Sequence, residues 1–333
     1  MDITISQSTL SGVVSAPPSK SISHRAIIVA ALSRGDSLLK NVLIADDTNY
    51  TIEALRAFGI SIMQNGTTLT ISGSRGKLNC PQDPITLGNS GTSMRLLTAV
   101  AGIINGKTIL TGEARLCARP MGDLIKALNQ IGIIARSIND TQCPPLEVIG
   151  GDISGGNITV DGSLSSQFIS ALLLIAPFAS GKTSITVTSM RSAPYIDMTI
   201  QVMRDFGVVV EKFGNTFIVE PGQQYVGRTY AIEGDYSSSS YFFALAAIGS
   251  TTITVDNLNP DSIQGDRFFL ELLEEMGCLI EKGETSVSVT GPQKLKSITA
   301  DLGDYPDIVQ SLAIVAAFAE GATEIKNIGH LKH

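Results

Sequence analysis

With 333 residues, 43% of them hydrophobic and 17% charged, the chain can bury a large core, and its length suits two domains of ordinary size. A net charge of −7 opposes a nucleic-acid partner, because the summed field repels a polyanion, so an anion site has to be a local gathering of cations. Apolar runs such as Phe168 to Ala176 and Leu312 to Ala319 fall short of the roughly 20 residues that span a bilayer, and no membrane partner is expected.

The amino terminus, MDITISQS, lacks the basic flank and long apolar stretch of a secretory signal, which makes a cytoplasmic location the default. The first informative stretch is PPSKSISHR, Pro17 to Arg25. Two prolines halt regular structure, and an apolar helical run from Ala26 to Leu32 follows, so Ser19, Ser21 and Ser23 stand at a helix entrance with unpaired backbone N–H groups. A helix N-terminus carries partial positive charge, and Lys20, His24 and Arg25 beside it are locally unfavourable. A bound phosphate or carboxylate reverses that sign; the plainer alternative is a serine-capped helix with solvated cations.

Further along, LRAFGISI, LNQIGIIA, MRDFGVVV and LEEMGCLI place Gly59, Gly132, Gly207 and Gly277 at intervals of 73, 75 and 70 residues. Each glycine closes an amphipathic stretch (Tyr50 to Phe58, Met121 to Ile131, Ile196 to Phe206, Asp266 to Met276) that reads as an outer helix with a glycine C-cap. Gly66, Gly214 and Gly283 then mark tight turns between antiparallel strands. A second kind of helix precedes each outer one: Ser23 to Leu32, Thr92 to Ala101, Gln167 to Pro177, Ser239 to Ile248, and Ile308 to Phe318. Apolar all round, these are expected to be buried. The repeat is strand, buried helix, strand, outer helix and two strands, with four full copies and a fifth beginning at Ser297. The expected fold class is α/β, several such units sharing one core rather than stacking as a solenoid.

Where the first strand meets the buried helix, every repeat carries a polar cluster: PSKSISHR, LGNSGTSMR, DGSLSSQF, EGDYSSSSYF and LGDYPDIVQ. If those helix N-termini converge, they present N–H groups and hydroxyls to a highly anionic ligand, making Gly88, Gly91, Ser165, Ser166 and Gln167 candidate contacts. Arg119, before a proline at an outer-helix start, offers a planar fork for carboxylate or phosphate; Ser192 and Tyr195 hold the matching place one repeat later. Asp307, expected among cations and ionised, suits proton abstraction from a substrate hydroxyl. Cys80, Cys117, Cys143 and Cys278 show neither CxxC spacing nor histidine neighbours, so a zinc site or disulfide framework is not indicated.

PPSKSISHRAIIVAALS, GNSGTSMRLL, ARPMGDL, DGSLSSQFISALLL, SAPYIDMT and LGDYPDIVQSLAI, in this order along the whole chain, resemble the 5-enolpyruvylshikimate-3-phosphate synthases. The resemblance implies two similar enolpyruvyl transferase-like domains of three units each, with substrates between them: residues 15–227, and residues 1–14 plus 228–333. It implies transfer of the enolpyruvyl group of phosphoenolpyruvate to the 5-hydroxyl of shikimate 3-phosphate, with phosphate released and with no metal or organic cofactor. By position, Lys20 matches the lysine touching both substrates, and Ser21 and Arg25 match residues holding the shikimate part. Ser165, Ser166 and Ser192 match the serines holding its phosphate, with Tyr195 nearby; Gln167 lies between the substrates, Gly91 and Arg119 match phosphoenolpyruvate contacts, and Asp307 matches the base. The family continues past the position of His333 into a Lys-Glu-Thr-Asp-Arg motif and a sixth unit. An incomplete second domain is therefore expected, its apolar helices partly uncovered, and a chain that binds shikimate 3-phosphate without turnover is an alternative. UDP-N-acetylglucosamine enolpyruvyl transferase is another, disfavoured because Cys117 stands only two residues before Arg119. RNA 3'-phosphate cyclases share the repeat, but the acidic charge counts against them. The complete form is expected to be a monomer.

Overall fold

The computed structural model describes residues 11–332; residues 1–10, most of the expected amino-terminal strand, and residue 333 lie outside them. After β1 (Gly12–Ser15), the first repeat runs α1 (Lys20–Leu32), β2 (Ser37–Lys40), α2 (Asp46–Ala57), β3 (Ile62–Asn65) and β4 (Thr68–Ile71). The second is β5 (Ile85–Thr86), α3 (Gly91–Ala101), β6 (Gly106–Thr111), α4 (Gly122–Asn129), β7 (Ile134–Ser137) and β8 (Leu146–Gly150). The third is β9 (Gly156–Val160), α5 (Gln167–Ile175), β10 (Thr183–Val187), α6 (Ala193–Asp205), β11 (Glu211–Phe213) and β12 (Thr216–Val219). In the fourth, β13 (Thr229–Ala231) precedes α7 (Tyr236–Gly249), β14 (Thr252–Asp256), α8 (Phe268–Glu275), β15 (Leu279–Lys282) and β16 (Ser286–Thr290). Then come β17 (Leu295–Lys296), β18 (Thr299–Asp301), α9 (Val309–Ala316), β19 (Ala319–Glu320) and β20 (Glu324–Lys326).

The glycines behave as their spacing requires. Gly59, Gly132, Gly207 and Gly277 have φ of 90°, 90°, 92° and 101°, a left-handed conformation that ends each outer helix at little steric cost only without a Cβ. Two outer helices start earlier than their apolar periodicity suggests. In α2 the Thr48 hydroxyl accepts from the Ala45 N–H and donates to the Leu43 carbonyl, so Asp46 already lies in the first turn. In α6, Pro194 occupies a position in the first turn where no N–H is required.

The chain divides into two compact units, residues 19–232 and residues 1–18 with 233–333. Each has its own apolar core. The boundaries differ from the expected 15 and 227 at both crossings, for a reason of strand pairing. β1, which runs to Ser15, pairs in parallel with β14, and Pro18 bridges Gly234, which keeps residues 15–18 with the fourth repeat. β13, expected in the other domain, pairs in parallel with β2. Each crossing strand thus fills the first-strand place of the sheet in the unit it enters or leaves: the orders are β13-β2-β4-β3 and β1-β14-β16-β15. The second and third repeats use their own strands, β5-β6-β8-β7 and β9-β10-β12-β11.

In the 19–232 unit the inner helices meet the expectation of complete burial. Every residue of α1 from Ile22 to Leu32 and of α5 from Phe168 to Ile175 is buried, and α3 is buried save Thr92 and Arg95. In the other unit the inner helices are not buried throughout. Tyr241 and Leu245 of α7, Ile314 of α9 and Phe318 just beyond it are 57%, 38%, 58% and 61% exposed.

Candidate anion-binding site

Two linked clusters form at the helix entrances of the 19–232 unit. The first lies between α1, α5 and α6. Arg25 is 1% exposed; its Nε donates to Thr199 Oγ1 at 2.7 Å, Nη1 to the Ser21 carbonyl at 2.9 Å, and Nη2 to Ser170 Oγ at 3.3 Å and the Tyr195 carbonyl at 3.2 Å. These partners are neutral hydroxyls and carbonyls. Burial pushes its guanidinium pKa down to about 10, so it remains a cation at neutral pH, taken from water at a cost that hydrogen bonds only partly offset. An anion brought nearby recovers Coulomb energy that water no longer screens.

The second cluster lies at the start of α3 and α5. Arg95 Nη1 donates to Gln167 Oε1 at 2.8 Å, and Gln167 Nε2 donates to Thr92 Oγ1 at 3.1 Å. Arg95 also stands over the Phe168 ring, 5.7 Å from its centroid, and its buried Nε has no hydrogen-bond partner among the described residues. Its pKa falls to about 10, first through burial and then through the nearby charge of Arg119. Gly91 opens α3, and a Cβ there would collide with Arg119 Nη1 and approach Arg95 Nη1 to 3.7 Å. Two guanidiniums therefore converge on a glycine at a helix N-terminus, a concentration of positive potential suited to a phosphate or carboxylate.

The charges at the α1 entrance differ from the sequence expectation. Lys20 is exposed and its Nζ lies 3.6 Å from Asp47 Oδ2. His24 is fully buried, its Nδ1 2.8 Å from Thr51 Oγ1, in a chain continuing through Ser93 Oγ to Ser90 Oγ at 2.8 and 2.7 Å. Burial lowers its pKa to about 3, so it is a neutral packing residue and no part of a cationic cluster. Ser19 supplies the expected cap, accepting from the Ile22 N–H. Gly88 has a packing reason for being glycine: a Cβ at its φ of 52° would run into the Tyr50 ring.

The serines are placed at the entrances of α5 and α6. Ser166 is the N-cap of α5 without a side-chain capping bond, while Ser165 Oγ accepts from the Gln167 N–H at 3.2 Å. Ser192 precedes α6 with φ of 52°, a strained conformation for a serine. Tyr195 is partly buried, and its carbonyl accepts from Arg25 and from the Thr199 hydroxyl. Asp307 belongs to the other unit, exposed in the short turn Pro306–Ile308 ahead of α9, where its carbonyl accepts from Gln310 Nε2.

Arg95 escaped the sequence reading. The available clue was a lone arginine inside a helix otherwise apolar all round, which requires either a water-facing position or a buried polar partner. Among the described residues no group of three or more His, Cys, Asp or Glu side chains could hold a metal ion, and no helix is long and apolar enough to cross a membrane.

Fold and site together define an α/β repeat protein that gathers guanidiniums, glycine and serine hydroxyls at helix N-termini, an arrangement suited to anions. The sequence profile of the family "EPSP synthase (3-phosphoshikimate 1-carboxyvinyltransferase)" matches residues 5–333. A 3-phosphoshikimate 1-carboxyvinyltransferase of Methanothermobacter thermautotrophicus is 42% identical over 100% of this chain and 79% of its own length. The enzyme of the same name from Methanospirillum hungatei is 45% identical over 96% of this chain and 75% of its own. The solved EPSP synthase of Acinetobacter baumannii superposes with a TM-score of 0.81 at 28% identity, covering 95% of this chain and 73% of that one. The chain belongs to the EPSP synthase family.

Proposed function

We propose that the chain is a 3-phosphoshikimate 1-carboxyvinyltransferase of aromatic amino acid biosynthesis, taking shikimate 3-phosphate and phosphoenolpyruvate as substrates. The 5-hydroxyl loses its proton and forms a bond to the enolpyruvyl carbon, whose bond to phosphate breaks. The observation that carries this reading is the convergence of Arg95 and Arg119 on Gly91 beside Gln167. Two multiply charged anions repel each other, and a preorganised cationic site offsets that repulsion while holding the reactants close.

Within this reading Gly91 and Arg119, with Arg95 added, receive phosphoenolpyruvate. Ser165, Ser166 and Ser192 take the phosphate of shikimate 3-phosphate, Ser21, Arg25 and Tyr195 its ring side, and Lys20 and Gln167 both substrates. Asp307 takes the 5-hydroxyl proton, an assignment resting on its motif. Arg25 is held in place there by its hydrogen bonds to Ser21, Ser170, Tyr195 and Thr199. The reading includes no metal or organic cofactor and a cytoplasmic location.

A second reading is shikimate 3-phosphate binding without turnover, favoured by the gathering of Arg25, Arg95 and the α5 entrance serines within the 19–232 unit alone. One experiment separates the two. Calorimetric titration with shikimate 3-phosphate is expected to show binding under either, and phosphate release on adding phosphoenolpyruvate only under the first. Absence of binding at millimolar ligand, with UDP-N-acetylglucosamine bound instead, overturns both.

A further inference from the structure

A cavity of about 350 Å³ lies in the 19–232 unit at the end of α1 remote from Lys20, lined by Leu32, Arg34, Arg75, Phe178, Gln224 and Tyr225 among others. The 13 residues of α1 put it ~20 Å from the helix entrance. None of its lining residues is acidic, and neither Arg34 nor Arg75 is ion-paired among the described residues.

Two arginines at a helix C-terminus could serve merely to meet its unpaired carbonyls. Here three of the last four, those of Val29, Ala30 and Ala31, are already engaged. Ser33 Oγ donates to the Val29 carbonyl at 2.7 Å, the Ser33 N–H to Ala30 at 3.2 Å, and the Ser74 N–H and Oγ to Ala31 at 2.9 and 2.7 Å. The Arg75 N–H donates to the Ser33 carbonyl at 2.9 Å, and the Arg34 N–H to the Tyr225 carbonyl at 2.8 Å. Both arginine backbones are thus fixed at the cavity rim while their guanidiniums have no capping duty. The apolar side is equally defined: Phe178 and Tyr225 meet at 6.1 Å between ring centroids, and Tyr225 is anchored by its hydroxyl on the Leu174 carbonyl.

We propose that this cavity binds a small carboxylate with a flat apolar body, an aromatic or alicyclic acid, whose carboxylate is forked by Arg34 and Arg75 while its ring lies toward Phe178 and Tyr225. The volume is at the lower end for ligand pockets, and the lining combines a largely apolar wall with few polar groups. Planar guanidiniums match a carboxylate better than they match a spherical ion. This site stands apart from the reaction proposed above and is independent of it.

Benzoate is the probe, with binding followed by saturation-transfer NMR and calorimetry on the full chain. Arg34→Gln and Arg75→Gln are exposed substitutions, and each is expected to weaken benzoate by about tenfold, as for loss of a charge-assisted hydrogen bond, with thermal unfolding unchanged. Arg119→Gln is expected to leave benzoate affinity within twofold, which separates this cavity from the cationic cluster at α3. Benzylamine, equal in size and opposite in charge, is expected not to bind. No benzoate binding at millimolar concentration, full affinity in the Arg34→Gln, Arg75→Gln double variant, or loss of affinity in Arg119→Gln instead overturns the proposal.

Discussion

The inner helices of the two units are close in composition and opposite in surroundings. α5 carries Phe168 to Ile175 without a polar residue other than Ser170, and all of it is buried. α9 reads VQSLAIVA and is as apolar by sequence, yet Ile314 is 58% exposed, as is 61% of Phe318 just after it. In the 19–232 unit three repeats supply α1, α3 and α5 with neighbours on all sides. In the other unit the described residues supply only α7 and α9, and Tyr241, Leu245 and Ile314 on them are exposed. An apolar sequence is therefore sufficient for an inner helix to form in this repeat, whereas its burial depends on what packs against it.

The largest test of that difference is a paired truncation. Phe168→Ala in α5 is expected to cost ~3–5 kcal/mol, because the cavity it leaves is enclosed. Urea unfolding followed by far-UV dichroism measures it, and a loss below about 1 kcal/mol would mean that α5 is not enclosed as described.

Acid should act on the well-enclosed unit first. His24 has a folded pKa of about 3 against 6.5 for the free side chain, so the unfolded chain binds its proton at higher pH than the folded one. The stability this residue contributes is fully present above pH 6.5 and is lost as pH falls from there toward 3, by up to ~1.4 kcal/mol per pH unit. His24→Gln should flatten that slope. Segment-resolved hydrogen exchange at pH 5 and pH 7 checks the location: protection is expected to fall around α1 and α2, and a fall confined to residues 233–333 would refute the assignment.

The smallest effect is expected on the open face. Ile314→Ser should change unfolding free energy by no more than ~0.5 kcal/mol, as for an exposed position, and should reduce self-association measured by light scattering. A loss comparable to that of Phe168→Ala would show that α9 is covered.

Much of the repeat was legible because its signals are local. A glycine ending an outer helix, as at Gly59 or Gly277, reflects the steric cost of a Cβ at positive φ. Ser19 and Ser90 capping α1 and α3 reflect N–H groups left free by helix geometry. The entrances carrying Gly91, Gln167 and Ser166 could be located for the same reason. The charge states there could not, since an ionisable side chain in sequence carries no record of its burial: His24 reads as a cation beside Lys20 and Arg25 until Thr51 and the surrounding helices remove its water.

Sequence by itself determined the repeated helices and strands, their caps and turns, and the family motifs, all of which depend on residues a few positions apart. Only the tertiary structure decided that β1 pairs with β14 and β13 with β2, exchanges that shift both boundaries and join strands more than 180 residues apart in chain number. It also decided that Arg95 closes on Gln167 and Arg119 on Gly91. Parallel pairing and side-chain convergence are set by which apolar faces must be buried together, and that choice belongs to the whole packed unit rather than to any stretch of it.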